Sequence, residues 1–298
     1  MDIFVKFIFE MKIDLYTILA IFLIITLVLG LIIYFFQQKF FFHPEKLPKD
    51  FKFAYDNLNA EELTVETEPG VKINYLHFKT EHPKGIVFYL KGNTKSIKGW
   101  GKFAIDFTRL KYDVIMLDYR GFGKSTGKRT SDGMKHDIQF IYNLVKKQVP
   151  EDHLVVYGRS IGTPFAAMLA ARNNPRILIL NSPIYSIERA IMRYLPFLPA
   201  KYFVNFKFPT YKYLKSVRCP IKIIHGSDDK LVPVKTAIEL SEIQPENTRL
   251  YIILKAGHLD VHKFKEYHRT LNEIFEDIDE PEKEINFSKT SLNMSHRD

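Results

Sequence analysis

The sequence predicts a doubly wound, mostly parallel α/β sheet, preceded by an antiparallel hairpin and by a membrane-crossing helix. Three observations predict it. An uncharged apolar stretch covers 15–36. Short β-branched runs alternate with helical patterns from residue 85 onward. Turn motifs bearing Ser, Asp and His follow three of those runs.

The apolar stretch comes first. From Leu15 to Phe36 no residue carries a charge. As an α-helix, about 22 residues reach about 33 Å, enough to cross a hydrocarbon core. Tyr16 and Tyr34 sit near its ends, where interfacial aromatics are favoured. A cleaved signal peptide would have a shorter apolar core and a small-residue cleavage site, and a buried core helix is rarely apolar all round. Lys6 and Lys12 precede the span, whereas Lys39, Lys46, Lys49 and Lys52 follow it. This bias favours a single pass with the large domain on the cytoplasmic side.

The expected organisation is a flank over 1–14, the span over 15–36, a connector over 37–60, a folded domain over 61–278 and a disordered tail over 279–298. The connector carries Pro44 and Pro48, and the tail opens on Asp279-Glu280-Pro281-Glu282. Within the domain, Leu63-Thr64-Val65 and Val71–Leu76 flank Glu68-Pro69-Gly70 as a hairpin. Six runs then read as strands: 85–90, 114–117, 154–157, 177–180, 221–224 and 250–254. They are apolar with little alternation, as strands covered on both faces should be. Helical patterns fall near 99–110, 132–149, 161–173, 234–243 and 262–278. The interval 184–219 is too long for a plain crossover; it is rich in aromatics, Lys and Pro, and reads as a small helical lid.

Composition narrows the function. The 298 residues suit one large domain with appendages, and the net charge of +9 is dispersed along the chain rather than blocked. No zinc spacing, basic heptad helix or RNA-binding aromatic signature points to nucleic acid. The single cysteine, Cys219, makes no internal disulfide and has no histidine pattern around it. Neither a metal nor an organic cofactor is implied.

The chemistry concentrates in Gly158-Arg159-Ser160-Ile161-Gly162, between a strand and a helical pattern. A strand-to-helix turn this sharp needs glycines beside the serine, because strand and helix approach closely there. It lifts the Ser160 hydroxyl out of the sheet and sets it over a helix N-terminus, where amides favour a developing oxyanion. A serine hydroxyl needs a base. His258 follows the last strand in Ala256-Gly257-His258, and Asp228 and Asp229 follow the strand 221–224; spacing alone does not separate the two aspartates. His225 reads as structural, a strand-end histidine before a turn glycine.

The order GxSxG, HGxxDxxVP, GH resembles the α/β-hydrolase superfamily over roughly 62–275, most of all its branch of membrane-anchored esterases, acylglycerol lipases and serine-aminopeptidase-like proteins. The resemblance implies that Asp229 is the acid, Ser160 the nucleophile and His258 the base. It implies that the amides of Asn93 and Ile161 form the oxyanion hole, with Lys91-Gly92-Asn93 in place of the family's HGN. Lysine there departs from the usual histidine. Asp118-Tyr119-Arg120-Gly121-Phe122-Gly123-Lys124-Ser125 is similar to the family's DYRGFGxS turn and reads as structural. The expected activity is cleavage of carboxylic esters or thioesters in lipid-like or membrane-associated substrates. A serine peptidase of the same fold and a catalytically silent tethered binding module are the alternatives.

Overall fold

A computed structural model describes residues 15–279. The expected flank over 1–14 lies outside the described residues, as does the expected tail beyond Asp279. Asp279 itself closes the last helix, where its carboxylate accepts from the Tyr112 hydroxyl at 2.5 Å and pairs with Lys84.

Eight strands form one sheet in the order β1-β2-β4-β3-β5-β6-β7-β8. They are β1 (Asn59–Glu68), β2 (Val71–Lys79), β3 (Gly85–Leu90), β4 (Tyr112–Leu117), β5 (Leu154–Arg159), β6 (Ile177–Asn181), β7 (Ile221–Gly226) and β8 (Thr248–Ile253). β1, β2 and β4 pair antiparallel; every other pair is parallel. β3, β4, β5 and β6 are buried at every position, because helices cover both faces. The hairpin strands are longer than the alternation at 63–65 suggests: Asn59–Glu62, three of them polar, still pair with Leu76–Lys79, since an edge strand needs only its backbone to join the ladder.

Six helices matter here: α1 (Leu15–Phe41), α2 (Ser131–Val145), α3 (Thr163–Arg172), α4 (Ile187–Tyr194), α5 (Val234–Ser241) and α6 (Lys265–Asp279). The helix expected near 99–110 breaks into short turns across 97–108. The lid interval holds α4 and two single-turn helices, Ala200–Phe203 and Thr210–Leu214. Its second half also packs into the core through Val204, Phe206, Phe208 and Leu214. One core lies on each face of the sheet.

α1 is long and apolar enough to cross a membrane, with a mean hydropathy of 3.1. It continues past Phe36 to Phe41, into the expected connector, and the segment after it packs on the domain. Phe42 is buried against Phe122, Phe206 and Phe208. The His43 amide donates to the Asn93 carbonyl at 2.9 Å, and the Lys95 amide returns a bond of 2.9 Å to the His43 carbonyl. Removing a fully packed phenyl ring costs about 3–5 kcal/mol. Phe42→Ala is therefore expected to lower the thermal midpoint of the full chain in detergent by several degrees, read by circular dichroism.

Candidate active site

The turn from β5 into α3 is built by steric exclusion. A methyl group on Gly162 would sit 2.0 Å from the Leu90 carbonyl oxygen, and one on Gly158 would sit 2.7 Å from Ala166 Cβ. Only glycine permits either approach. Ser160, at the apex, takes a φ of 53°, a left-handed conformation that costs a non-glycine residue about 1–2 kcal/mol. The surroundings hold it there: the Thr163 hydroxyl donates to the Ser160 carbonyl at 2.6 Å and accepts the Ile184 amide at 3.3 Å. Pro164 falls in the first turn of α3, where a missing N–H leaves no bond unmade.

The structure brings Ser160, His258 and Asp229 together. Ser160 Oγ lies 2.8 Å from His258 Nε2, and His258 Nδ1 lies 2.7 Å from Asp229 Oδ2. An ionised carboxylate only accepts, so Nδ1 carries the hydrogen and Nε2 is free to accept the serine proton. Asp229 Oδ1 accepts the amides of Leu231 at 2.9 Å and Val232 at 2.7 Å. Burial would raise the Asp229 pKa. Hydrogen bonds from His225, His258 and the Val232 amide outweigh it and hold the carboxyl well below the usual range. Asp228, which spacing could not tell from Asp229, is exposed and takes the Ser227 hydroxyl at 2.7 Å.

Two further residues hold this arrangement. His225, fully buried at the end of β7, donates from Nε2 to the Val232 carbonyl at 2.8 Å and comes within 3.3 Å of Asp229 Oδ2. It braces the turn that carries Asp229. Arg159 lies on the other side. Its guanidinium covers the Phe103 ring at 4.9 Å and the Trp100 ring at 5.5 Å. It donates to the Leu259 carbonyl at 3.3 Å, next to His258, and faces His262 Nδ1 at 3.3 Å. Burial, then repulsion by Arg159, Lys102 and Lys263, lowers the His262 pKa to about 4, so that ring stays neutral and accepts. Nothing in the GxSxG pattern marks its second residue as the support of the histidine loop.

The loop after β3 abuts the elbow, since the Gly162 position is closed off by Leu90 and Lys91 carbonyls. The side chain of Asn93 donates to the Phe41 carbonyl at 2.8 Å, which ties this loop to the end of α1. Ile161 follows Ser160 and is buried. Lys91, the departure from histidine, is fully buried in an aromatic cage: Nζ is 3.9 Å from the Phe122 ring centroid, 5.0 Å from that of Tyr119 and 3.5 Å from Asp118 Oδ1. Burial lowers the Lys91 pKa to about 8 against the pull of Asp118, and burial raises that of Asp118 to about 6. Asp118 in turn accepts the Ile97 amide at 3.0 Å, and the Tyr119 hydroxyl donates to the Lys91 carbonyl at 2.8 Å. The Asp118–Ser125 turn is structural in its contacts: Arg120 pairs with buried Asp137 at 2.5 Å and with Glu68 at 2.8 Å. A pocket of about 350 Å³ opens nearby between α4 and the 231–236 turn, lined by Tyr185, Arg189, Arg193, Leu231 and Val232. It meets the site through Val232, whose amide bonds Asp229.

Strand order, elbow and crossovers are those of the α/β-hydrolase fold. The model of the serine aminopeptidase family, S33, matches residues 81–216. The chain is 30% identical over 193 residues to lysophosphatidylserine lipase ABHD12 of Danio rerio, covering 58% of this chain and 50% of that protein. It is 32% identical over 154 residues to the α/β hydrolase domain-containing protein aho-3 of Caenorhabditis elegans, covering 51% of this chain and 45% of that one. The chain thus spans about half the length of these two relatives. An esterase of Pyrococcus furiosus shares the fold with a TM-score of 0.63 at 21% identity, over 80% of this chain and 97% of that one.

Losing one partner of a buried ion pair costs about 3–5 kcal/mol, whereas replacing both with apolar groups is often nearly neutral. Asp118→Ala is therefore expected to destabilise the chain by about that amount in urea titration. The double variant Lys91→Met, Asp118→Leu should recover most of the loss.

Proposed function

We propose that this hydrolase cleaves carboxylic esters or thioesters of lipid-like, membrane-associated substrates through a covalent acyl-enzyme. The observation that carries the reading is the unbroken relay from Ser160 Oγ through His258 to Asp229, with links of 2.8 and 2.7 Å. Ser160 attacks the substrate carbonyl while His258 Nε2 takes its proton. Asp229 keeps the imidazole in the required tautomer and stabilises the imidazolium. The backbone amides of Asn93 and Ile161 receive the oxyanion. His258 then protonates the leaving alcohol or thiol, and a water activated by the same imidazole releases the acid. No cofactor enters these steps.

Lipid-like substrates are supported by the apolar helix joined to the catalytic domain and by the likeness to a lysophosphatidylserine lipase. The lysines after α1 support a single pass with the domain on the cytoplasmic face. A peptidase reading draws on the description of the matching family model, and it differs in leaving group rather than in machinery.

The full chain in detergent is expected to hydrolyse p-nitrophenyl esters and to react with a fluorophosphonate probe. Ser160→Ala should abolish the labelling. Asp229→Asn, with geometry kept but the tautomer reversed, should lower kcat about 10⁴-fold. Labelling that persists at another residue in Ser160→Ala overturns the assignment. Turnover of aminoacyl amides in preference to esters favours the peptidase, and inertness toward every ester and amide favours a binding module.

A further inference from the structure

Three contacts tie α1 to the lid at increasing distance from the sheet. The Gln37 side-chain oxygen accepts the amides of Asn205 at 2.8 Å and Phe206 at 3.3 Å. The Phe203 ring covers Gly30 so closely that a methyl group there would lie 2.5 Å from it. Phe22 meets Phe197 with ring centroids 5.7 Å apart. At the rise of an α-helix, Gly30 lies about 10 Å and Phe22 about 22 Å along the axis from Gln37. The lid segment 194–204 therefore runs down the flank of the helix whose composition suits hydrocarbon.

That segment is built for such a medium. Its one charge is Lys201, and Tyr194, Phe197 and Tyr202 are exposed. Pro196 and Pro199 bring no N–H. The amides of Leu195, Leu198, Ala200, Tyr202 and Val204 all donate to carbonyls between Ile191 and Ala200. Backbone away from water must satisfy its donors internally; five amides of this segment do so, and its two prolines remove two further donors.

Between α1 and α4 lies a groove of about 310 Å³. Leu29, Ile32 and Ile33 form one wall and Ile191 and Leu195 the other. Phe41 lines its end, and the Phe41 carbonyl is the one that accepts the Asn93 side chain. An apolar groove with one wall on a bilayer-crossing helix opens onto acyl chains, and its inner end touches the loop beside Ser160. We propose that this groove takes the acyl chain of a membrane lipid laterally from the bilayer and guides its ester to Ser160. The inference rests on the serine-hydrolase reading and deepens it. The occupant is a single hydrocarbon chain.

The test compares labelling of the full chain in phospholipid vesicles by hexadecyl and ethyl fluorophosphonates. Ile33→Trp and Leu195→Trp fill the groove. Each is expected to lower the ratio of long-chain to short-chain labelling rates about tenfold, because remote binding energy drives the reaction of the long probe. Ile33→Leu should keep the ratio within about twofold. An unchanged ratio in both tryptophan variants overturns the groove while leaving the hydrolase reading intact. Failure of both probes to label the unaltered chain overturns the hydrolase reading, and the groove's role with it. A second readout needs no catalysis. In Ser160→Ala, Leu195→Trp emission above the Trp100 background is expected to be quenched by vesicles of bromine-labelled acyl chains. Unquenched emission puts the lid outside the hydrocarbon and overturns the proposal.

Discussion

The site depends on one close approach. β5 ends against the first turn of α3 with no room for a side chain at 158 or 162, and the chain must reverse within the residues between them. That reversal puts Ser160 in a left-handed conformation, held by the Thr163 hydroxyl, which bridges the Ser160 carbonyl and the Ile184 amide. Each other part of the site is measured from that apex. β3 delivers its loop to the same point because its last carbonyl lies against Gly162. β7 and β8 deliver Asp229 and His258 because parallel strands all end on one edge of the sheet.

Much of this is legible in the sequence because it has local causes. The glycines around Ser160 are dictated by contacts within a few residues, and the strand runs are dictated by burial on both faces. The pairing of Asp229 rather than Asp228 with His258 is different. It depends on which carboxylate the turn 226–232 directs inward, and that is fixed by amides at 231 and 232 and by His225 from behind. Spacing does not encode it; the resemblance to a known motif supplies it. The long-range supports are not legible. Arg159 reaches the histidine loop across about a hundred residues of sequence, and Lys91 is stabilised by an aromatic cage whose members are spread over the 118–125 turn.

The segment after the apolar helix reads as a proline-bearing connector. Its aromatics have no periodicity to reveal that Phe42 is core, and pairing between residues 43 and 94 leaves no trace in either local pattern. The lid is legible as a helical excursion from its length and composition, but not its fastening: Ile187, Ala200, Phe206 and Phe208 all pack into the core. The basic charge of the chain is dispersed, and most cations with named partners serve the fold: Arg120, Lys124 and Arg189 are all paired with carboxylates.

The bridge at His43 makes the join between the apolar helix and the domain chemically consequential. The chain just past α1 supplies the strand-like partner of Asn93 and Lys95 and the buried ring of Phe42. The 92–95 loop therefore takes its shape from the same segment that carries the helix, and a truncation beginning after residue 43 removes a piece of the domain's own interior along with the helix.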